Sequence, residues 1–344
     1  MKKRKIFMLG MIVASVLLTS FSFYFYQVFY GANILLDKEN QTILILKEDT
    51  FDDVRNKFYD DFIINDVISF SFVAKVLGYQ ELVKPGLYQL KKGMSNLAAV
   101  RMLRSGDQVP VRITFNNVRL KFDLAEKITE NTGIEPTEFL ALLEDNNFLT
   151  QYGVNSESVM TLFLPNTYEV YWTLTATELF SKMAQEHDKF WTTKRKAKAK
   201  ELKMTPIEVS ILASIVQAES VKNDERPTIA GLYLNRLKRN IPLQADPTLI
   251  YALGDFTIQR VLNEYKKVKS PYNTYLNRGL PPGPINLPTI SSIDAVLNFE
   301  NHNYIYMCAK EDFSGYHRFA KTLTEHNKNA SLFQKALNER SIYR

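Results

Sequence analysis

Glu219 is the residue whose setting points most directly to chemistry. It follows Ile215 by four residues, Val216 by three and Leu212 by seven, so a helix through this stretch carries its carboxyl on an apolar face. A carboxylate there is costly unless it is paired or keeps its proton. Desolvation raises a carboxyl pKa, which is what a general acid working near neutral pH requires. The same spacing also allows a structural role, in which Glu219 ends the helix and turns to water or pairs with Arg226.

Polar and aromatic groups follow in three turn-rich stretches: Pro-Leu-Gln-Ala-Asp-Pro-Thr at 242–248, Ser-Pro-Tyr-Asn-Thr-Tyr at 270–275, and Gly-Leu-Pro-Pro-Gly-Pro at 279–284. Stiff loops hold side chains at low entropic cost. Tyrosine rings and asparagine amides suit the apolar faces and the hydroxyl or acetamido groups of sugars, although ordinary turns have the same composition. Asp246 before Pro247 is equally a turn former. His317 and Phe319 share one side of a late strand by period 2, and a lone histidine is more often a structural hydrogen bonder than a catalyst. Cys308, near the end of an apolar strand, reads as a small core residue.

The elements that must hold these groups are marked in the sequence. Thr205 and Glu208 form a capping box, with Pro206 at the first helical position of the helix that reaches Glu219. A second helix is expected over Thr228–Leu237 and a strand over Tyr304–Met307. Upstream, a strand over 42–46, a helix capped at Asp49-Thr50, a helical stretch around Ile68–Val73, a turn and strand over 83–90 and a helix from Ser95 to Ser105-Gly106-Asp107 make a compact α+β unit over 40–108. A strand over 109–115 leads to helices over 122–132 and 136–144, a turn at 164–168, an extended piece at 170–172 and one long polar helix over 176–202. The basic run Lys194–Lys200 in that helix is either a solvated face or a contact for an anionic polymer.

Composition sets the outer bounds. A chain of 344 residues suggests two domains or three, and 45% hydrophobic with 23% charged residues exclude a disordered, collagenous or polytopic membrane protein. One cysteine forms no intrachain disulfide and no Cys-rich zinc site, and the four histidines contain no HExxH pair, which excludes a zincin site. Lys2, Lys3, Arg4 and Lys5 supply four of the six net positive charges. The rest of the chain is near balance and carries no concentrated basic field, which argues against nucleic acid as a partner. No charged residue occurs from Ile6 to Leu36, and the apolar run Ile6–Phe25 has the length of a bilayer span, with Tyr24, Tyr26 and Tyr30 at its outer end. The basic stub leaves the N-terminus in the cytoplasm and the rest outside. The alternative is a cleaved signal peptide, but the run exceeds a usual h-region and shows no small-x-small site.

Taken together, these motifs resemble the YceG-like endolytic murein transglycosylases, the MltG family. The resemblance runs through Leu212–Ser220, Glu225-Arg226-Pro227, Gly231–Leu237, Leu243–Thr248, Ser270–Tyr275, Gly279–Pro284, His317-Arg318-Phe319 and Glu325-His326-Asn327, in order over about 120 residues. Lys84-Pro85-Gly86-Leu87-Tyr88 is similar to the family's LysM-like module, and Phe163–Tyr168 to its segment before the catalytic helix. Two positions depart: Gln217 stands where members often have a second acid, and Asn116-Asn117 where they have Glu-Gly.

The resemblance implies an α+β fold with an N-terminal transmembrane helix, a small LysM-like module and a larger helix-rich catalytic domain containing a short sheet. The expected division is a cytoplasmic stub at 1–5, an anchor at 6–28, the LysM-like module at 40–108 and the catalytic domain at 109–344. It implies a bacterial cytoplasmic-membrane enzyme that cuts the bond between N-acetylmuramic acid and N-acetylglucosamine inside peptidoglycan strands. Glu219 would be the single acid/base and a 1,6-anhydro ring the product, with no metal or organic cofactor implied, whereas ordinary glycosidases use two carboxylates. Gln244, Asp246, Tyr272, Asn273, Thr274 and His317 are the candidates for the glycan groove, and penicillin-binding synthases the candidate partners. A hydrolase of the same polymer, with Asp246 or another acid activating water, and a non-catalytic peptidoglycan-binding scaffold are the competing readings.

Overall fold

The computed structural model describes residues 2–258 and 261–340. The fold is a helix-rich α+β arrangement with three two-stranded sheets among the described residues and one apolar N-terminal helix. The chain divides into two compact units. One comprises Met1–Arg112, Asn131–Gly133 and Glu169–Leu174; the other comprises Ile113–Glu130, Ile134–Tyr168 and Thr175–Arg344.

The first unit opens with α1 (Lys2–Tyr30), which is long and apolar enough to cross a membrane. Its last residues enter the protein core: Val28 and Phe29 are buried, and Asn96 Nδ2 donates to the Val28 carbonyl at 2.9 Å. β1 (Asn40–Ile45), α2 (Phe51–Asp60), α3 (Val67–Val76) and β2 (Gly86–Lys91) follow, then α4 (Asn96–Ser105). The two strands pair antiparallel, with Ile43 opposite Tyr88 and Ile45 opposite Gly86. Alternation sends Ile43, Ile45, Tyr88 and Leu90 inward against Phe58, Phe70 and Leu103. Thr50 caps α2 in a reciprocal box with Asp53, and Ser95 caps α4, as the sequence predicts.

Beyond it come β3 (Val111–Phe115), α5 (Lys121–Thr129), α6 (Pro136–Glu144), α7 (Asn146–Thr150) and β4 (Asn166–Val170), with β3 paired to β4. The turn expected at 164–168 is therefore already strand from Asn166. The single helix expected over 176–202 is two, α8 (Ala176–Phe190) and α9 (Thr193–Glu201). Buried Trp191 leaves the helical conformation, and Thr192 starts again by accepting from Arg195 N at 3.4 Å. Most of the basic residues of α9 face solvent, while Arg195 pairs with Asp294 at 3.1 Å.

α10 (Pro206–Glu219) is the hub of the second unit. Its capping box and its proline at the first position form as predicted. Residues 209–216 are buried on every side, the pattern of a central helix. Around it lie α11 (Arg226–Lys238), α12 (Asp246–Leu253) and α13 (Ile290–Leu297). Gly231 of α11 sits so close to the 300–302 segment that a Cβ would collide with the Glu300 carbonyl. In the 279–284 turn, Gly283 likewise lies against the backbone of Glu157. The strand expected at 304–307 starts two residues later: β5 (Tyr306–Ala309) pairs antiparallel with β6 (His317–Ala320), Ala309 opposite His317. α14 (Leu323–Glu339) ends the described chain.

Candidate active site

α10 stops at Glu219 because Ser220 turns extended, with φ −141° and ψ 132°. The stop releases the Glu219 side chain into a cavity of about 390 Å³, which it shares with Tyr233, Arg236, Gln244, Asp246 and Tyr275; β5 and β6, including His317, close one side. The pairing with Arg226 that spacing allowed does not form. Arg226 donates to the Ser220 carbonyl at 3.2 Å and to Ser292 Oγ at 3.0 Å. The partner of Glu219 is Tyr233, whose hydroxyl donates to Oε1 at 2.5 Å.

The carboxyl pKa is pushed up to about 7. Burial is the main cause, and the charge of Asp246 adds to it; the Tyr233 hydrogen bond and the Arg236 cation act in the opposite direction. Burial, reinforced by the neighbouring Glu219 carboxylate, holds the Tyr233 phenol well above its ordinary value, so it stays a neutral donor. Arg236 is three residues on and is itself buried. It donates to the carbonyls of Ile305 at 2.7 Å, Pro242 at 3.0 Å and Leu243 at 2.9 Å, tying α11 to the loop in front of α12.

That loop carries two of the expected groove residues. Gln244 has a left-handed φ of +49° and accepts from Arg236 through Oε1 at 3.2 Å. Asp246 opens α12 instead of forming a free turn, and its Oδ1 accepts from the Tyr275 hydroxyl. The 270–275 stretch splits differently. Tyr275 faces the cavity, whereas Asn273 and Thr274 are buried scaffold: Asn273 donates to the carbonyls of Lys266 and Val268 at 3.1 and 2.8 Å, and Thr274 Oγ1 accepts from Ala245 N at 3.1 Å. Tyr272 packs on Tyr251, ring centroids 4.8 Å apart, and does not line the cavity. Three of the six expected groove residues thus lie outside this cavity: Asn273 and Thr274 are engaged by backbone hydrogen bonds, and Tyr272 by its ring contact with Tyr251.

His317 lines the cavity and is tied through Nδ1 to Glu225 Oε2 at 2.8 Å; the same carboxylate accepts from the His317 backbone N at 2.7 Å and from Ser220 Oγ at 3.2 Å. Glu225 thus joins the residue after Glu219 to β6. Gln217 is fully engaged: Nε2 donates to Asn286 Oδ1 and the Leu287 carbonyl, both at 3.0 Å, and Oε1 accepts from Thr289 N at 2.7 Å. Cys308 is half-buried on the cavity wall, not in the core as its strand suggested. No group of three or more potential metal ligands occurs among the described residues.

Tyr233, Arg236, Tyr275 and Glu225 stand within the motifs quoted from the sequence, but sequence reasoning did not single them out as site residues. Tyr233 belongs to the apolar side of its helix and looks like core. Its only signal is an arginine three residues later on the same buried face. The assembled site offers one carboxyl that shares its proton near neutral pH, a neutral phenol bonded to it, and a polar cavity: the equipment of a single-residue acid/base catalyst.

The YceG-like family profile matches residues 43–332. The chain is 31% identical over 295 residues to an endolytic murein transglycosylase of Bacillus subtilis (strain 168), covering 80% of this chain and 81% of that protein. It is 26% identical over 370 residues to one of Streptococcus pneumoniae (strain D39), covering 95% of this chain and 65% of that longer protein. A crystal structure of a YceG-like protein from Listeria monocytogenes superposes with a TM-score of 0.55 at 28% identity, over 85% of this chain and 99% of that one.

Proposed function

The chain belongs to the YceG-like family, and from that premise we propose that it is a membrane-anchored endolytic murein transglycosylase whose acid/base is Glu219. The observation that carries the assignment of Glu219 is its carboxyl, held near pKa 7 at the wall of a polar cavity by burial, with the Tyr233 hydroxyl on Oε1.

Glu219 protonates the glycosidic oxygen as the bond to the muramic anomeric carbon breaks, and N-acetylglucosamine leaves with a free 4-hydroxyl. Positive charge develops at the anomeric carbon, and the muramic 6-hydroxyl attacks it. Glu219, now a carboxylate, takes the proton of that hydroxyl and is restored. The product is a 1,6-anhydro ring, and no water is consumed. Tyr233 stabilises the carboxylate stage and fixes the oxygen that moves the proton. Gln244, Asp246, Tyr275 and His317 are the proposed sugar contacts from the cavity wall.

α1 supplies the anchor, with the basic stub inside and the chain that follows α1 outside. The β1–α2–α3–β2 order and antiparallel strand pair support reading the first unit as LysM-like. Nascent strands beside penicillin-binding synthases are the proposed working place. The hydrolase reading needs Asp246 or another acid to activate water, and one oxygen of Asp246 is already engaged by Tyr275.

The test uses the full chain in detergent, because Val28 and Phe29 belong to the folded core. Uncrosslinked glycan strands are incubated with wild type and Glu219→Gln and the products weighed. Fragments one water lighter than hydrolysis products, formed by wild type alone, support the proposal. Full-mass reducing ends indicate the hydrolase. Strand binding without cleavage by either protein indicates the scaffold.

A further inference from the structure

We propose that α3 lies in the outer interfacial layer of the membrane that α1 crosses, with Ile68, Phe72 and Val76 in contact with lipid, so that the first unit is seated on the bilayer. The inference rests on reading α1 as an anchor. α3 is apolar on both faces. Ser69, Phe70, Val73 and Ala74 fill the core of the unit, while Ile68, Phe72 and Val76 form an i, i+4, i+8 stripe that is 81%, 52% and 55% exposed. A helix apolar all round is normally buried, and a stripe of three large apolar side chains marks a contact surface.

The structure places this stripe next to the span. Phe21, Phe25 and Phe29 share one face of α1. Phe25 stacks on Phe29 with centroids 4.3 Å apart, and Phe29 meets Phe72 edge-on at 6.2 Å. The row of rings thus runs out of the span and continues onto α3. Phe29 lies four residues beyond Phe25, a rise of about 6 Å, which is the depth of the headgroup layer outside the hydrocarbon.

The junction is fixed by buried polar groups. Asn33 exchanges two hydrogen bonds with the backbone of Asp66, the cap of α3, at 2.9 and 2.7 Å. It also bonds Asn96 at 2.6 Å, and Asn96 in turn holds the Val28 carbonyl and, at 3.0 Å, Ser69 Oγ. Exposed Lys75, beside Val76, offers a cation to lipid phosphates, and Tyr24, Tyr26 and Tyr30 lie along the last turns of α1, where the span meets the headgroups.

The test is nitroxide accessibility in the full chain carrying Cys308→Ser, reconstituted in phosphatidylglycerol–phosphatidylcholine vesicles. Labels are placed singly through Ile68→Cys, Phe72→Cys and Val76→Cys, with Leu17→Cys in the span and Arg101→Cys on the exposed face of α4 as references. Each labelled chain is first matched to the parent by thermal melt. The expected result is a several-fold higher ratio of oxygen to nickel-chelate collision at 68, 72 and 76 than at 101, approaching that at 17. Ratios equal to that at 101, with 17 in lipid, overturn the inference and leave the anchor standing. Labels shielded from both reagents also overturn it, since a protein then covers the stripe. A water-exposed label at 17 overturns the anchor and the inference together.

Discussion

The hydroxyl of Tyr233 donates to Glu219 Oε1 at 2.5 Å, joining the end of α10 to the middle of α11. This bond favours the ionised carboxyl and opposes the burial that raises its pKa. Tyr233→Phe removes the opposition, so the Glu219 pKa rises above 7 and the protonated acid persists to higher pH. The alkaline limb of the kcat/KM profile is expected to move upward, while the rate on the plateau falls about tenfold as the carboxyl loses its orientation. A pH–rate profile of both proteins checks the two effects separately.

The same raised pKa couples Glu219 to stability. A carboxyl at about 7 in the fold against 4.5 ordinarily favours the folded state most below pH 4.5, and that contribution is lost as pH rises through 7. The loss is at most about 3 kcal/mol, and less in a cavity open to solvent. Glu219→Gln is therefore expected to be more stable than wild type at pH 8.5 and no more stable at pH 4.5. Urea midpoints at the two pH values measure the difference.

Gln217→Glu tests whether a second acid in the motif would help this chain. The amide nitrogen donates to two acceptors, Asn286 Oδ1 and the Leu287 carbonyl, and a carboxylate donates to neither. The variant is expected to lose about 2–4 kcal/mol at pH 8, to recover part of it at pH 5 as the new carboxyl gains a proton, and to gain no cleavage activity. Denaturant midpoints and product yields decide.

Gly231→Ala sets helix propensity against packing. Alanine favours an isolated helix by about 1 kcal/mol, but its Cβ would collide with the Glu300 carbonyl and lie 2.8 Å from His302 Nε2. A net loss of about 1–3 kcal/mol is expected, because α11 must shift away from the segment it grips. A gain in urea midpoint would show that the 300–302 segment gives way freely.

Local chemistry was legible in the sequence. The Thr205–Glu208 box, the apolar setting of Glu219, the Thr50 and Ser95 caps and the apolar length of α1 depend on neighbours within a few residues, and those neighbours are written in order along the chain. Element ends were less legible. The break at Trp191-Thr192 came from burying an indole, which helix periodicity does not record. The candidate site was legible only in part, because its selection is a matter of three-dimensional competition for hydrogen bonds. Asn273 and Thr274 have sugar-binding chemistry, yet the fold uses them to satisfy Lys266, Val268 and Ala245. Tyr233 looks like a core residue, yet the packing of α11 on α10 brings its hydroxyl to Glu219. Residue types and helical phase were determined by the sequence alone. Which polar groups remained free to face the cavity was decided by contacts between residues far apart in the chain, where burial and hydrogen-bond satisfaction are settled together.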